Sequence, residues 1–432
     1  MNLYHLFSAV AANLYYGFPS RKLKIVGVTG TDGKTTTVTL IFKILQSGGK
    51  KVAMVSTVEA FIGGQSYDTG FHVTSPDPWA LQKFIRRMVD EDCEYAVLEV
   101  TSHALDQHRV WGIHFDVGVV TNVTRDHFDY HGTYENYLKA KAKLLLASGK
   151  IAINADDQSY RPLINFLQAY HRSPELTYDL FGKAEVTLVA GSLKESQSEA
   201  VPTKFICRVQ DDQLEVSTWL RGQYNYANIL AAIGAVKALG ISDEATQAGI
   251  VNFSGVEGRW QKIELGQDFV AILDFAHTPN ALEVMLKNCR AQMPKEKKLA
   301  VVFGCAGLRD VGKRQQMGVI SGRLADWVVL TAEDPRTEDV NAIIDQIAVG
   351  CEETGCRNQG LDSWADRGYF RIPDRQSAIE FALTRLAKSG DWVVVTGKGH
   401  EKSMCYGTSE RLWSDKEEME RALRMRLGAN LG

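Results

Sequence analysis

The sequence predicts an α/β protein built on parallel sheets, and three observations carry that expectation. Residues 24–56 read as a strand, a glycine-bearing turn, an amphipathic helix and a second strand, the βαβ unit that requires parallel pairing. Further apolar runs end at Glu99 (YAVLEV), Asn122 (VGVVTN) and Asn154 (IAIN), each passing into a polar loop. After Arg259 four more follow, FVAILDF, LAVVFGC, WVVLTAE and WVVVTGK, again with polar loops at their carboxyl ends. In open α/β sheets ligands collect at those ends.

Taken in order, the first strand is expected over Lys24–Val28 and the helix over Lys34–Gln46, halted by Ser47-Gly48-Gly49. Val52–Ser56 is the second strand. Residues 183–220 alternate as short strands with polar turns, and Tyr224–Leu239 reads as a helix closed by Gly240. A boundary is expected near Gln261. It divides the chain into an N-terminal helical segment (1–21), a central domain (22–261) and a C-terminal domain (262–432). No internal repeat of ~20–50 residues is present.

Composition narrows the function. The chain has 432 residues, 45% apolar and 23% charged, enough to bury several cores without metal or disulfide staples. With 49 basic and 52 acidic residues the net charge is −3, a poor match for wrapping nucleic acid or an anionic membrane. The seven cysteines are scattered without a C-x-x-C pair, and nothing completes a zinc site around Cys351 and Cys356. They read as free thiols of a reducing compartment. His5, Asn13 and the missing basic leader argue against a signal peptide, and no apolar run nears the ~20 residues of a membrane span. A cytoplasmic protein acting on small molecules as a monomer is expected.

The strongest local signal is Gly27-Val-Thr-Gly30-Thr-Asp-Gly33-Lys34-Thr35-Thr36, between a strand and a helix. Glycines let backbone N–H groups and a helix N-terminus face an anion, Lys34 would reach the β/γ-phosphates, and Thr35 would offer a hydroxyl to Mg²⁺. Val28 stands where the strict pattern has its first glycine, so only the shorter G-x-x-G-K-T core survives. Glu99 closes an apolar strand, where a carboxylate is costly unless it meets a cation or solvent. Asp126, His127, Asp129 and His131 crowd into six residues. Alone they could form a metal-hydrolase cluster or a polar helix start. Beside a phosphate loop, oxygen-coordinated Mg²⁺ is the better expectation.

GVTGTDGKTTT, LEVTSHALDQHRV, TNVTRDHFDYHG, YLKAKAKLL, GQYNYAN, GVEGRW, DFAHTPNAL, VFGCAGLRDVGKR, EDPRTED and GKGHE occur in that order. Together they resemble the Mur ligases, most of all the UDP-N-acetylmuramoyl-tripeptide synthetases, over roughly residues 22–425. The resemblance implies a central P-loop ATPase-like parallel-sheet domain followed by a Rossmann-like C-terminal α/β domain. It also implies a chemistry. ATP and Mg²⁺ convert a muramoyl-peptide carboxylate to an acyl phosphate, which an amino acid then attacks in peptidoglycan precursor synthesis. Positioning and charge neutralisation dominate such phosphoryl transfer.

By the same resemblance Gly30, Thr31, Asp32, Gly33, Lys34, Thr35 and Thr36 hold the ATP phosphates, Asn228 the adenine, Arg259 the γ-phosphate and Asp274 the ribose end. Thr35, Glu99, His127 and Lys141 match magnesium-site positions, Lys141 as a carbamylated lysine. Lys139 and Lys143 flank it, as they would on a solvated basic helix face. Thr74, Ser75, Thr101, Gln107 and Arg109 resemble contacts to the muramoyl dipeptide. Glu333, Asp334, Arg336, Gly397 and Glu401 resemble contacts to the incoming amino acid.

Two departures bear on the substrate. Only some 25 residues precede the phosphate loop, where relatives carry a uridine-nucleotide-binding domain. Glu333-Asp-Pro-Arg336 replaces the Asp-Asn-Pro-Arg of diaminopimelate-adding enzymes. Arg336, whose planar fork suits a carboxylate, favours meso-diaminopimelate. Two other readings are a folylpolyglutamate-synthetase-like ligase and a non-catalytic nucleotide-binding regulator.

Overall fold

A computed structural model describes residues 2–67, 76–182, 184–196 and 200–428. Eleven strands form the first sheet: β1 (Lys24–Thr29), β2 (Val52–Val55), β3 (Ala60–Ile62), β4 (Gln65–Tyr67), β5 (Tyr95–Glu99), β6 (Phe115–Val120), β7 (Ser148–Asn154), β8 (Leu176–Asp179), β9 (Val186–Leu188), β10 (Thr203–Val209) and β11 (Asp212–Thr218). Their order is β11-β10-β9-β8-β7-β6-β1-β5-β2-β3-β4. The stretch from β9 to β2 is parallel, and antiparallel hairpins finish both edges. Ile25, Val26 and Val28 of β1 are buried on both faces, as a central parallel strand requires.

Helix α1 (Asn2–Tyr16) precedes β1, and α2 (Lys34–Ser47) follows it, one residue longer than expected. α3 (Pro78–Asp90) starts at an Asp77 cap and leads into β5. The helix Gln223–Ala238 is apolar nearly all round and correspondingly buried through Ile229, Leu230, Ile233 and Val236.

The second sheet contains β12 (Gln261–Lys262), β13 (Val270–Leu273), β14 (Leu299–Phe303), β15 (Trp327–Leu330), β16 (Gly368–Arg371) and β17 (Trp392–Val395), ordered β12-β13-β17-β14-β15-β16. All but β12 run parallel. The four strands expected here are present. The edge strand β16 is additional, because Gly-Tyr-Phe-Arg is too short and too mixed to stand out from its loop. A hairpin of β18 (Ser403–Tyr406) and β19 (Ser409–Leu412) follows.

Two compact units result. One comprises residues 1–124 and 131–255, the other 125–130 and 256–432. The acid–histidine run is thereby divided: Asp126, His127 and Asp129 belong to the second unit and His131 to the first. No helix of the described residues is long and apolar enough to cross a membrane.

Candidate active site

Glycine shapes the phosphate-loop end of the first unit. A Cβ added to Gly30 would lie 1.8 Å from Thr121 Oγ1. Gly33 has φ +81°, and a Cβ there would lie 2.2 Å from Asn228 Oδ1. Neither position admits a side chain. The Asp32 carbonyl accepts from Thr121 Oγ1 at 2.7 Å and Asn122 Nδ2 at 3.1 Å, while the Asp32 N–H donates to Asn122 Oδ1 at 2.9 Å. The Thr31 N–H donates to the Asn122 carbonyl at 2.9 Å. Lys34 Nζ folds back to the Thr31 carbonyl at 2.8 Å. Thr35 and Thr36 lie in the first turn of α2, whose unsatisfied N–H groups and macrodipole favour an anion.

The β1–β5 register sets Val28 opposite Glu99, which brings that carboxylate to the loop. Thr35 Oγ1 donates to Glu99 Oε2 at 2.9 Å. Thr57 adds its N–H to Oε2 at 3.1 Å and its hydroxyl to Oε1 at 2.8 Å. A buried carboxylate beside a threonine hydroxyl is a set of hard oxygen donors, the chemistry Mg²⁺ prefers. Lys141 is only 1% exposed, so it is no part of a solvated face. Its Nζ donates to the Gly30 carbonyl at 2.6 Å and lies 4.4 Å from the Tyr137 ring centroid. Its neighbour Lys143 instead pairs with Asp106 at 2.8 Å. Asn228 meets the hydroxyl of Thr37 at 3.4 Å.

Of the residues expected to meet the acceptor, Thr101 caps the short helix Ser102–Asp106 by accepting from the Ala104 N–H at 3.1 Å. Gln107 is buried in the turn that follows, and the Arg109 N–H donates back to the Ala104 carbonyl at 2.9 Å. Thr74 and Ser75 lie outside the described residues.

The second unit carries the other half of the expected set. His127, at φ +53°, meets Asp126 through Nε2 at 3.3 Å and its own N–H at 2.9 Å. Burial alone would raise the Asp126 carboxyl, but His127, His277 and Lys313 outweigh it and hold the group well below the usual carboxylate range. The Arg259 guanidinium lies 4.2 Å from the Phe275 ring centroid. Asp274 accepts from the Trp260 N–H at 2.7 Å and the Ala276 N–H at 2.8 Å. Burial still raises its carboxyl against the pull of Arg259.

Beyond it the EDPR and GKGHE loops meet. Gly397 has φ +107°, and a Cβ would come 2.5 Å from Glu333 Oε2. That oxygen is buried without a hydrogen-bond partner, and burial pushes the Glu333 carboxyl up to about 7 against the pull of Lys313 and Arg375. Asp334 and Arg336 both have positive φ, at +41° and +53°, so the loop is strained on either side of Pro335. Asp334 Oδ1 accepts from the Cys405 N–H at 2.9 Å and from Lys398 Nζ at 3.0 Å. Lys398 also pairs with Glu401. Arg336 donates through Nη1 to the Gly307 carbonyl at 2.6 Å and through its N–H to the Cys405 carbonyl at 3.1 Å. Among the described residues no carboxylate pairs with its guanidinium.

Comparison with known proteins now decides the family. The Mur ligase middle domain matches residues 28–236, and the Mur ligase, glutamate ligase domain matches residues 258–399. The chain is 39% identical to the UDP-N-acetylmuramyl-tripeptide synthetase of Roseiflexus sp. (strain RS-1), over 96% of this chain and 81% of that one. It is 38% identical to the UDP-N-acetylmuramoyl-L-alanyl-D-glutamate--2,6-diaminopimelate ligase of Parabacteroides distasonis, over 94% of this chain and 79% of that one. The chain belongs to the Mur ligase family. It is an ATP-dependent ligase. A solved diaminopimelate ligase of the same description superposes with a TM-score of 0.60 at 31% identity, covering 94% of this chain and 79% of that chain. Mycobacterium tuberculosis folylpolyglutamate synthase superposes with a TM-score of 0.72 at 15% identity, covering 93% and 97%, a likeness of fold alone.

In this Mur ligase several buried or half-buried titratable groups sit beside the expected residues. Lys398 sits inside GKGHE, Lys313 inside VFGCAGLRDVGKR and His277 inside DFAHTPNAL, so each had a signal in a quoted motif. Lys313 Nζ donates to the His277 carbonyl at 2.8 Å. Arg375 had none. It is fully buried, makes two bonds to Asp415 at 2.7 and 2.6 Å, and donates to the Ala332 and Thr396 carbonyls at 3.0 and 2.9 Å. It thereby fixes the backbone immediately before Glu333 and before Gly397.

Proposed function

We propose that this ligase adds a diamino acid, with meso-diaminopimelate the preferred one, to a UDP-N-acetylmuramoyl-L-alanyl-D-glutamate acceptor. The observation that carries this reading is Arg336, whose guanidinium meets the Gly307 carbonyl and no carboxylate among the described residues, on the same loop as Glu333, which keeps an unbonded buried oxygen, with Glu401 on the GKGHE loop that meets it. A diamino acid with a distal carboxylate presents the matching charges: a carboxylate for Arg336 and an ammonium for the acids. Several relatives, 36–39% identical, are named for this same reaction.

The acceptor carboxylate attacks the γ-phosphorus of ATP, ADP leaves, and an acyl phosphate forms. The amine then attacks the acyl carbon, phosphate leaves, and the nitrogen sheds its proton. Gly30–Thr36 cradle the phosphates with backbone N–H groups, Lys34 neutralises charge on them, and Asn228 borders the adenine. Arg259 faces the γ-phosphate, and Asp274 serves the ribose end. Thr35 and Glu99 would hold Mg²⁺, with His127 and a carbamylated Lys141 as further ligands. The ion would supply charge neutralisation on the phosphates. Thr74, Ser75, Thr101, Gln107 and Arg109 take the acceptor peptide. On this reading residues 22–261 serve ATP and acceptor, 262–432 serve the amine and, through Asp274, the ribose end of ATP, and 1–21 form a helical preface.

ADP release against a panel of acceptor and amino-acid pairs tests the proposal. Diaminopimelate with the UDP-linked dipeptide should give the highest kcat/KM. A preference for lysine that Arg336→Ala leaves unchanged rejects the diaminopimelate assignment, and turnover only with folate and glutamate rejects the muramoyl acceptor.

A further inference from the structure

His131 has no part in the chemistry described so far. In sequence it belongs to a run that could hold a metal, but in the fold its Nε2 is committed to a serine, Ser102 Oγ, at 3.0 Å. Both residues are buried. The His131 ring packs near those of His103 and Tyr137, with centroids 5.5 and 5.1 Å away. Its backbone is pinned as well, because the His131 carbonyl accepts from the Thr133 N–H at 2.9 Å and from Asn136 Nδ2 at 3.1 Å.

Ser102 opens the helix Ser102–Asp106, with Thr101 as its N-cap and Gln107 as its C-cap. The Arg109 N–H bonds back to Ala104 of the same helix. Three residues read as acceptor contacts therefore hang on one short element. Its five residues make little more than one turn, and isolated helices below ~12 residues are marginal in water. Tertiary ties must place it. One is His131 to Ser102 at its start, and another is Lys143 to Asp106, at 2.8 Å, at its end. Lys143 lies on the helix Tyr134–Leu146, which His131 directly precedes. That longer helix also grips the phosphate loop. The Tyr137 hydroxyl meets Thr31 Oγ1 at 3.2 Å, and Lys141 Nζ donates to the Gly30 carbonyl.

We propose that His131 is a positioning residue of the ligase, which through Ser102 holds Thr101, Gln107 and Arg109 in register with the phosphate loop. The inference rests on the reading that these three residues meet the acceptor. The acceptor carboxylate has to reach the γ-phosphorus, and small misplacements of a bound reactant are costly in rate. The hydrogen bond, more than the ring, is the operative contact. Ser102 is only 2% exposed, so a hydroxyl that lost His131 would stay unsatisfied or drag the turn toward another partner.

Steady-state kinetics of the full chain with the UDP-linked dipeptide separate this role from a merely structural one. His131→Phe keeps a ring against His103 and Tyr137 and removes the nitrogen. It should lower kcat/KM for the dipeptide about ten- to hundredfold, with KM for ATP and the melting temperature unchanged. His131→Gln, whose amide reaches a similar point to Nε2, should recover most of the loss. Ser102→Ala should reproduce the loss without touching the ring, and so decides the matter where His131→Phe does not fold. The double variant should be no worse than either single one, since both remove the same bond. An unchanged kcat/KM in Ser102→Ala, additive losses, or an equal change in KM for ATP overturns the proposal. Arg109→Ala distinguishes that failure from failure of the acceptor reading. A lower kcat/KM for the dipeptide in Arg109→Ala supports the acceptor site, and an unchanged one removes that site and the role of His131 with it.

Discussion

The phosphate loop of the first unit and the EDPR–GKGHE loops of the second are built in opposite ways. The first is made mainly of backbone. Gly30 and Gly33 leave no room for side chains, Thr121 and Asn122 pin the Asp32 peptide, and the buried Glu99 accepts from the hydroxyls of Thr35 and Thr57. The second is a buried lattice of charge: Arg375 with Asp415, Lys398 with Asp334 and Glu401, and Lys313 among Asp126 and Glu333. Oriented N–H groups suit phosphate because the ligand brings the charge. An amino acid brings both signs, and only balanced, preorganised charges can tell its amine from its carboxylate without leaving an uncompensated ion when the site is open.

If the lattice is structural as well as functional, its deepest pair should show the largest effect. Arg375→Met leaves Asp415 buried without a counter-ion and should cost ~3–5 kcal/mol of unfolding free energy by urea titration. Adding Asp415→Leu should recover much of that loss. A single-variant cost below ~1 kcal/mol would mean that the pair is relaxed by solvent.

The phosphate loop should respond in the opposite sense, with activity lost and stability kept. Lys34→Ala should lower ADP release by ~10²–10³-fold while the melting temperature holds. An intact rate in the folded variant would remove Lys34 from the phosphates.

Lys398→Met separates the two regions more finely. It frees Asp334 and Glu401 from their shared cation, so KM for the amino acid should rise about ten- to hundredfold while KM for ATP stays fixed. Equal changes in both constants would show that the two regions are not distinct.

The last test concerns Glu333. Its carboxyl is raised from an ordinary 4.5 to about 7, so the folded state binds more protons than the unfolded chain between those values. Stability should therefore fall across that window as pH rises, and Glu333→Gln should flatten the fall, stabilising the protein at pH 8 and little at pH 5. Parallel profiles for variant and wild type would place the Glu333 carboxyl in solvent.

How far each region was legible follows from the same contrast. The strand, turn and helix around Gly30–Thr36 are contiguous in the chain, so hydrophobic period and turn chemistry expose them directly, and the parallel sheets follow from repetition of the same unit. Glu99 could be named because a carboxylate closing an apolar run is costly. Lys141 could not be separated by spacing from Lys139 and Lys143, since only packing buries one of the three. Sequence by itself also determined the order of the motifs and hence the family. Tertiary structure alone decided that Asp334 is already paired with Lys398, that Glu333 keeps an unbonded oxygen, and that Arg375 braces both loops. The reason is physical. Local propensity acts between residues a few positions apart, whereas a buried charge is balanced by whichever groups the fold brings within hydrogen-bonding distance. For Arg375 with Asp415 and for Lys398 with Asp334 those groups lie 40 and 64 positions away.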